Sequence, residues 1–367
     1  MEERGLTVLI MAAGTGGHVF PALSIADVMR EKSIHVEWLG THHGLENRIL
    51  KDTDIPLHKI SVKGLRGGGI KKLITAPLML LKSLLESWRV LGEVKPDFVL
   101  GMGGFVCGPA GLASRMRGIP LFIHEQNAVP GLTNKLLRPL ARRVFEGFPD
   151  TFQSRSNVLF VGNPLRSTIT TSSGTASRKR IAGEPLRLLV LGGSQGAKAI
   201  NEVIPQLVAS VGEELPLETM HQVGANHLDA AIEYYQSCEL EPGEKNRLLP
   251  FIDDMAAAYR WADVVICRSG ASTVSEIAAV GLPAIFIPYP FHKDEQQKLN
   301  AQWLVREGAG LMIEQKDLSA ERLITELSRF LTTPDLGEQM SQKARSLAVL
   351  DAGRKITEVC LEEIHAG

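Results

Sequence analysis

Apolar runs of strand length recur along the chain, each closing on a glycine or a polar cluster and each followed by a stretch of helical period. In the first half they are Thr7–Met11, His35–Leu39, Asp97–Leu100, Pro120–His124, Arg143–Phe145 and Val158–Val161. Such alternation predicts a parallel, doubly wound α/β sheet. After Asn163-Pro164 the period lapses through the Ser/Thr-rich segment Ser167–Arg180, which reads as an exposed linker or surface loop. The plan then restarts: Leu186-RLLVLGGSQGAKA-Ile200 repeats strand, glycine turn and helix. Further strands are expected at Asp263–Cys267, Ala284–Ile287 and Gly310–Ile313, and a helix over Ser341–His365. Two α/β domains in tandem follow, residues 1–163 and 164–345, with a C-terminal helix at 346–367 able to pack on either domain, the first included.

Composition agrees with that division, because 367 residues at 44% hydrophobic content exceed one ordinary core and are too apolar for disorder. Lysine plus arginine total 40 against 41 acidic residues, a balance that speaks against nucleic acid as a partner. Cys107, Cys238, Cys267 and Cys360 lie far apart with no zinc-like spacing, which is the usage of a reduced cytosolic protein and points to no metal. Met1-EER-Gly5 lacks the basic, apolar and small-residue order of a signal peptide, and no run approaches the roughly 20 apolar residues of a membrane span.

The glycine turns carry the first chemistry. Counted from Gly14, the dinucleotide fingerprint needs glycine at 19 and meets Val19. The turn from Gly192 to Lys198 is one residue short of a P-loop, and Ala199 stands where Ser or Thr is required. A third turn, Gly101-MGGFVCG-Pro109, fits neither template. The physics outlives the templates: glycine lets backbone N–H groups approach a ligand, and a helix N-terminus favours negative charge. Phosphate, pyrophosphate or a developing oxyanion is the expected guest, and tight turning is the bland alternative.

His18 follows the first turn, where an imidazole can serve as general base or merely pack at a helix start. His124-EQ-Asn127 gathers polar groups at a strand end, with Glu125 either a catalytic carboxylate or a structural partner. Cys267-RSGASTVS-Glu276 places Ser272 and Thr273 at a helix start, suited to capping or to phosphate, with Glu276 about a turn later, able to accept both ribose hydroxyls. Pro288-YPFHKDEQQKLN-Ala301 supplies the amides Gln296, Gln297 and Asn300, suited to sugar hydroxyls or to plain solvation. Asp52-Thr53-Asp54 matches a metal-binding Asp-x-Asp only superficially.

Taken in order and spacing, Gly14-TGGHVFP-Ala22, Gly101-MGGFVCG-Pro109, His124-EQ-Asn127, Gly162-NPL-Arg166, Gly192-GSQG-Ala197, Cys267-RSGASTVS-Glu276 and Pro288-YPFHKDEQ-Gln297 closely resemble one family across nearly the whole chain. It is the bacterial peptidoglycan glycosyltransferases, which move N-acetylglucosamine from a UDP donor onto undecaprenyl-pyrophosphoryl-N-acetylmuramyl pentapeptide. The resemblance implies two Rossmann-like, doubly wound parallel-sheet domains facing a cleft, the GT-B type. The acceptor and membrane belong on the first domain and UDP-N-acetylglucosamine on the second. It implies direct displacement with inversion, no required cofactor, and work in cell-wall biogenesis, cell shape and division beside other cell-wall assembly proteins.

Carried over by the resemblance, Thr15, Gly16 and Gly17 sit beside the donor sugar and diphosphate, and His18 is the base for the acceptor 4-hydroxyl, with Glu125 the second catalytic candidate. Asn127 contacts the donor's sugar end, and Arg166 and Ser194 hold the diphosphate. Glu276 binds the ribose, Ala271, Ser272 and Thr273 the phosphate and sugar edge, Ile252 the uracil through its main chain, and Gln296 with Gln297 the sugar hydroxyls. Two positions depart from the family pattern: Ala13 replaces a usual glycine and Cys107 a frequent small hydroxyl residue.

A lipid-linked acceptor implies a peripheral place on the anionic cytoplasmic face of the plasma (inner) membrane. The segment Ile70–Leu91 presents Ile74, Leu78, Leu81, Leu85 and Trp88 at helical spacing beside Lys71, Lys72, Lys82 and Arg89, a pattern for an anionic surface. Read without the lipid substrate, the same stripe is a core-facing helix. Two rivals share the donor half: a UDP-N-acetylglucosamine 2-epimerase, which needs no acceptor, and a non-catalytic nucleotide-sugar sensor.

Overall fold

The structure, a computed structural model, describes residues 5–62, 70–153, 156–172, 183–193, 196–212, 215–292, 294–333 and 335–366, with the side chains of 70–76 and 172 outside the description. The chain divides into two compact units, the first made of 1–166 and 349–367, the second of 167–348.

The first unit runs β1 (Thr7–Met11), α1 (Gly16–Glu31), β2 (His35–Thr41), α2 (Glu46–Ile49), β3 (Leu57–Ile60), α3 (Ile70–Val94), β4 (Phe98–Gly101), α4 (Cys107–Met116), β5 (Leu121–Glu125), α5 (Leu132–Leu137), β6 (Arg143–Glu146) and β7 (Val158–Phe160). Its strands pair in parallel in the order β3-β2-β1-β4-β5-β6-β7. Residues 8–11 of β1 and 98–100 of β4 are wholly buried, as a parallel strand covered on both faces requires. The chain order reverses between β1 and β4, and open α/β sheets bind ligands beyond the carboxyl ends of strands at such a switch point. The Gly14 and Gly101 turns both open there.

The second unit runs α6 (Ser167–Ser172), β8 (Leu186–Leu191), α7 (Lys198–Ser210), β9 (Leu217–Gln222), α8 (Leu228–Ser237), β10 (Asn246–Leu249), α9 (Met255–Trp261), β11 (Val264–Cys267), α10 (Ala271–Val280), β12 (Ala284–Phe286), α11 (Gln296–Val305), β13 (Leu311–Met312), α12 (Ala320–Thr332) and α13 (Leu336–Leu347). Its parallel order β10-β9-β8-β11-β12-β13 has its switch point between β8 and β11. The Gly192 and Arg268-Ser269-Gly270 turns open there.

The last helix, α14 (Ala352–His365), belongs to the first unit. It packs on α1, and its Ile356 and Cys360 are fully buried in the cluster that holds Val8, Ile10, Ile25 and Trp38. Burying one such isoleucine is worth about 1.5–3 kcal/mol.

Three expectations change. The helix expected over Ser341–His365 is interrupted: Ala348 is extended (ψ 139), and a Cβ on Gly162 would lie 2.5 Å from the Val349 Cβ, so the chain straightens to pass against that glycine. The expected linker begins as helix α6, because Ile169 is fully buried and the Thr170 and Thr171 hydroxyls donate back to the Ser167 carbonyl; residues 173–180 lie outside the described residues. Strands β3, β9 and β10 went unread, since β9 buries Thr219, His221 and Gln222 and so shows no apolar run.

Candidate active site

In the first unit the Gly14 turn (φ 98) leads into α1 with Thr15 at the N-cap and, among the described residues, no side-chain cap. The first-turn N–H groups at Gly16 and Gly17 therefore stay available, as an anion site needs. A fully buried carboxylate pins the turn: Glu46 accepts from the Gly14 N–H (3.1 Å), the Thr41 N–H (2.8 Å) and the Thr41 hydroxyl (2.9 Å). Glu46 was not foreseen, because the Gly14 N–H that it holds lies 32 residues away and nothing local marks that contact.

The Gly101–Pro109 turn closes on the same place. A Cβ at Gly103 (φ 105) would stand 2.6 Å from the His18 Nδ1, and one at Gly104 (φ 84) 2.7 Å from the Ala13 carbonyl oxygen, so both must be glycine. The buried Cys107 thiol lies within donating reach of the Met11 (3.2 Å) and Gly103 (3.1 Å) carbonyls, its single S–H serving one at a time, and burial pushes its pKa up to about 12.

His18 is half-buried, and its Nδ1 lies 2.9 Å from the Gln126 Oε1. The Gln126 Nε2 reaches the His124 Nδ1 (3.0 Å), and the His124 Nε2 reaches the Gly162 carbonyl (2.9 Å). His124 is wholly buried, and that desolvation lowers its pKa to about 4, so the ring is neutral near pH 7. Glu125, 3% exposed, accepts four N–H groups: the Asn127 N–H (3.1 Å) and Nδ2 (3.2 Å), the Gly131 N–H (2.9 Å) and the Asn134 Nδ2 (2.9 Å). Its oxygens are spent on the 126–131 turn that carries Asn127. Arg166 stacks its guanidinium over Phe20, with 5.6 Å to the ring centroid.

In the second unit an amide holds the first glycine turn. Gln222 accepts the Gly193 N–H (3.2 Å) and donates to the Gly193 carbonyl (3.0 Å). Helix α7 then starts at Lys198 with Ala197 at its N-cap and no side-chain cap among the described residues. Ser194 lies outside the described residues. Across the switch point α10 starts on Gly270, again without a side-chain cap, so Ala271, Ser272 and Thr273 form an open first turn. The Ser272 hydroxyl is buried with no partner among the described residues, and the capping alternative does not describe it.

Glu276, 8% exposed, is aimed by the buried Tyr259, whose hydroxyl donates to its Oε2 (2.9 Å). Tyr259 was missed because it sits within α9 and its partner Glu276 lies 17 residues away in the chain. The Gln297 Oε1 accepts the Ser269 (3.3 Å) and Tyr289 (3.0 Å) N–H groups, and the Asn300 Nδ2 donates to the Ser269 carbonyl (3.1 Å). Gln297 thus holds the loops, while Gln296 opens α11 half-exposed. Ile252 is buried beyond β10, at the sheet edge away from β11.

The face of α3 is the reverse of a core helix. Its buried side is Ser83, Ser87, Val90 and Leu91, whereas Leu78 is 73% and Leu85 61% exposed, with Leu81 and Trp88 also outward. The core-facing alternative for this stripe is therefore wrong over residues 78–88. The Ile74 side chain lies outside the described residues. No helix among the described residues is long and apolar enough to cross a membrane.

Two parallel sheets, each with uncapped helix N-termini at its switch point and one with a histidine beside that turn, have the architecture of a two-domain nucleotide-sugar enzyme. The chain belongs to glycosyltransferase family 28: that family's N-terminal domain matches residues 8–146 and its C-terminal domain residues 187–356. It is 48% identical, over 97% of its length and 98% of the relative's, to the UDP-N-acetylglucosamine–N-acetylmuramyl-(pentapeptide) pyrophosphoryl-undecaprenol N-acetylglucosamine transferase of Pseudomonas paraeruginosa. The transferase of that name from Alkalilimnicola ehrlichii is also 48% identical, over 98% of this chain and 99% of its own. MurG of Acinetobacter baumannii superposes with a TM-score of 0.79 at 38% identity, covering 97% of this chain and 99% of that one. A UDP-GlcNAc 2-epimerase from Neisseria meningitidis shares the fold alone, with a TM-score of 0.68 at 14% identity over 97% of this chain and 100% of its own.

Proposed function

We propose that this glycosyltransferase moves N-acetylglucosamine from UDP-N-acetylglucosamine to the 4-hydroxyl of the N-acetylmuramyl residue of undecaprenyl-pyrophosphoryl-muramyl pentapeptide. The observation that carries the reading is 48% identity across 97% of the chain to a transferase of that name. The half-buried His18 and the uncapped helix starts at the two switch points support it. His18 offers Nε2 as the base that takes the hydroxyl proton while the oxygen attacks C1. The C1–O bond to the diphosphate breaks with inversion, and its electron pair leaves on UDP.

The open first turns of α7 and α10, with Arg166 and Ser194, hold the diphosphate as that charge grows. Preorganised donors of this kind generally outweigh a general base. Thr15, Gly16 and Gly17 border the sugar and diphosphate, Ala271 to Thr273 the phosphate and sugar edge, Glu276 the ribose and Ile252 the uracil. Gln296 reads the sugar hydroxyls, since the Gln297 carbonyl is already occupied by backbone. Glu125 is assigned to shaping the 126–131 turn that presents Asn127, in place of a direct catalytic part.

UDP release from UDP-N-acetylglucosamine, with and without a soluble-chain analogue of the lipid-linked acceptor and with UDP-glucose as donor control, tests the reading. Acceptor-dependent release that prefers the acetamido sugar is expected. Acceptor-independent turnover would make the protein an epimerase, and binding without turnover a sensor.

The outward leucines of α3, with the exposed Leu112 and Met116 of α4 and Leu132 and Leu136 of α5, seat the enzyme peripherally on the anionic cytoplasmic face of the plasma membrane. Lys82 and Arg89 each pair with a glutamate four residues on, so the apolar stripe contributes more than the charge. Replacing Leu78 and Leu85 with glutamate is expected to abolish sedimentation with anionic vesicles while leaving the fold within about 0.5 kcal/mol. Undiminished sedimentation would remove the patch.

A further inference from the structure

We infer that Gln126 is a positioning residue that holds His18 in the single neutral tautomer able to act as base, with Nδ1 protonated and Nε2 bare. The inference rests on the reading of His18 as the base.

Its logic runs from the buried end outward. The Gly162 carbonyl can only accept, so the His124 Nε2, 2.9 Å away, must carry a proton. His124 is neutral, because burial holds its pKa down at about 4. A neutral imidazole has one N–H, so the His124 Nδ1 is a bare acceptor, and the Gln126 group 3.0 Å from it must be the amide nitrogen. That nitrogen also lies 3.4 Å from the His124 carbonyl, a second acceptor. The amide is thereby oriented, and its oxygen faces the His18 Nδ1 at 2.9 Å. An amide oxygen only accepts, so His18 carries its proton on Nδ1 and its lone pair on Nε2.

The rest of the pocket leaves the amide no other arrangement. Gln126 is 1% exposed and His124 wholly buried, so bulk water does not compete for either partner. The Asn163 Nδ2 holds the Gln126 carbonyl (3.0 Å), and the Asn134 Nδ2 holds the His124 carbonyl (3.2 Å), which fixes the backbone that aims both side chains. When the His18 Nε2 takes the acceptor proton, the new imidazolium already donates from Nδ1 to a carbonyl oxygen, and nothing need turn. In a Ser-His-Asp triad a carboxylate orients the histidine; here a neutral amide does it, and the information that sets its direction comes from a backbone carbonyl two side chains away.

The test is ring-nitrogen NMR of the full chain labelled with 15N-histidine, at mildly alkaline pH, with the His18 signals identified by their loss in His18→Asn. The wild type should show His18 protonated on Nδ1 and His124 on Nε2; His18 protonated on Nε2 would overturn the inference without recourse to any Gln126 variant. Gln126→Met should move His18 toward the Nε2–H form and lower kcat roughly 10–100-fold, as loss of a histidine's outer partner does, with donor KM unchanged. Gln126→Glu keeps an acceptor at the His18 Nδ1 and should retain both the tautomer and more of the turnover than Gln126→Met.

If Gln126→Met leaves tautomer or turnover as in the wild type, the residue does not position His18. The underlying reading fails separately, by an unchanged turnover in His18→Ala, and the tautomer measurement stands or falls independently of that result.

Discussion

The Gly14 turn of the first unit rests on a carboxylate, Glu46, and the Gly193 turn of the second on an amide, Gln222. Both side chains come from a neighbouring strand or the helix beside it, and both satisfy a glycine N–H that would otherwise be orphaned. Their charges differ. The carboxylate meets the positive end of α1 from within the protein, whereas the amide adds no charge and leaves the field of α7 for a guest. The half that keeps its field offers α7 and α10 to the diphosphate, and the half that offsets part of its field at Gly14 carries the histidine base. Two parallel sheets with the same kind of switch point have thus been given different electrostatics by one side chain in each.

The comparison can be broken most sharply at the base: His18→Ala should lower kcat roughly 10²–10⁴-fold with donor KM unchanged, the range for loss of a general base. Unchanged turnover by the UDP-release assay would strip the first unit of its chemical role. Next, Gln222→Glu sets an oxygen against the Gly193 carbonyl and a negative charge beneath the diphosphate turn. Calorimetric titration should show UDP affinity weakened by about 1.5–3 kcal/mol, the scale of a charged hydrogen bond. Equal affinity would mean the neutral amide is incidental.

The reciprocal exchange, Glu46→Gln, turns an NH₂ toward the Gly14 N–H and should cost about 1–3 kcal/mol of unfolding free energy in urea titration. UDP affinity should change less than in Gln222→Glu, and an equal or larger loss would place the anion chiefly at the first turn.

A smaller effect tests what the halves share. Each buries a neutral histidine: desolvation lowers His124 to about 4 and His221 to about 3. The unfolded chain binds those protons below about pH 6.5 and the folded chain does not, so stability falls as pH falls through that window. From pH 7 to pH 6 each should withdraw on the order of 1 kcal/mol. A flat unfolding free energy over that interval would mean that both rings take up the proton in place.

The strands β1, β4, β8 and β11 were legible because strands covered on both faces must be apolar, and the glycine turns because no other residue allows the backbone so close. Strands β3 and β10 lie at sheet edges, where half-covered positions tolerate His58, Lys59, Asn246 and Arg247. Within the candidate site, local order marked His18, Glu276 and the His124–Asn127 cluster. It could not assign Gln126, whose role depends on a carbonyl at Gly162, nor Glu46 and Gln222, whose partners lie 32 and 29 residues away in the chain. Residues that touch a ligand leave a local pattern; residues that aim them leave one only after the sheet has formed.

The return of α14 to the first unit sets an order of events during synthesis. Ile356 and Cys360 complete the core around Val8 and Trp38, yet they follow the whole second unit in the chain. The second unit, 167–348, is wholly made before them, so the core of the first unit closes only after the second has been synthesised.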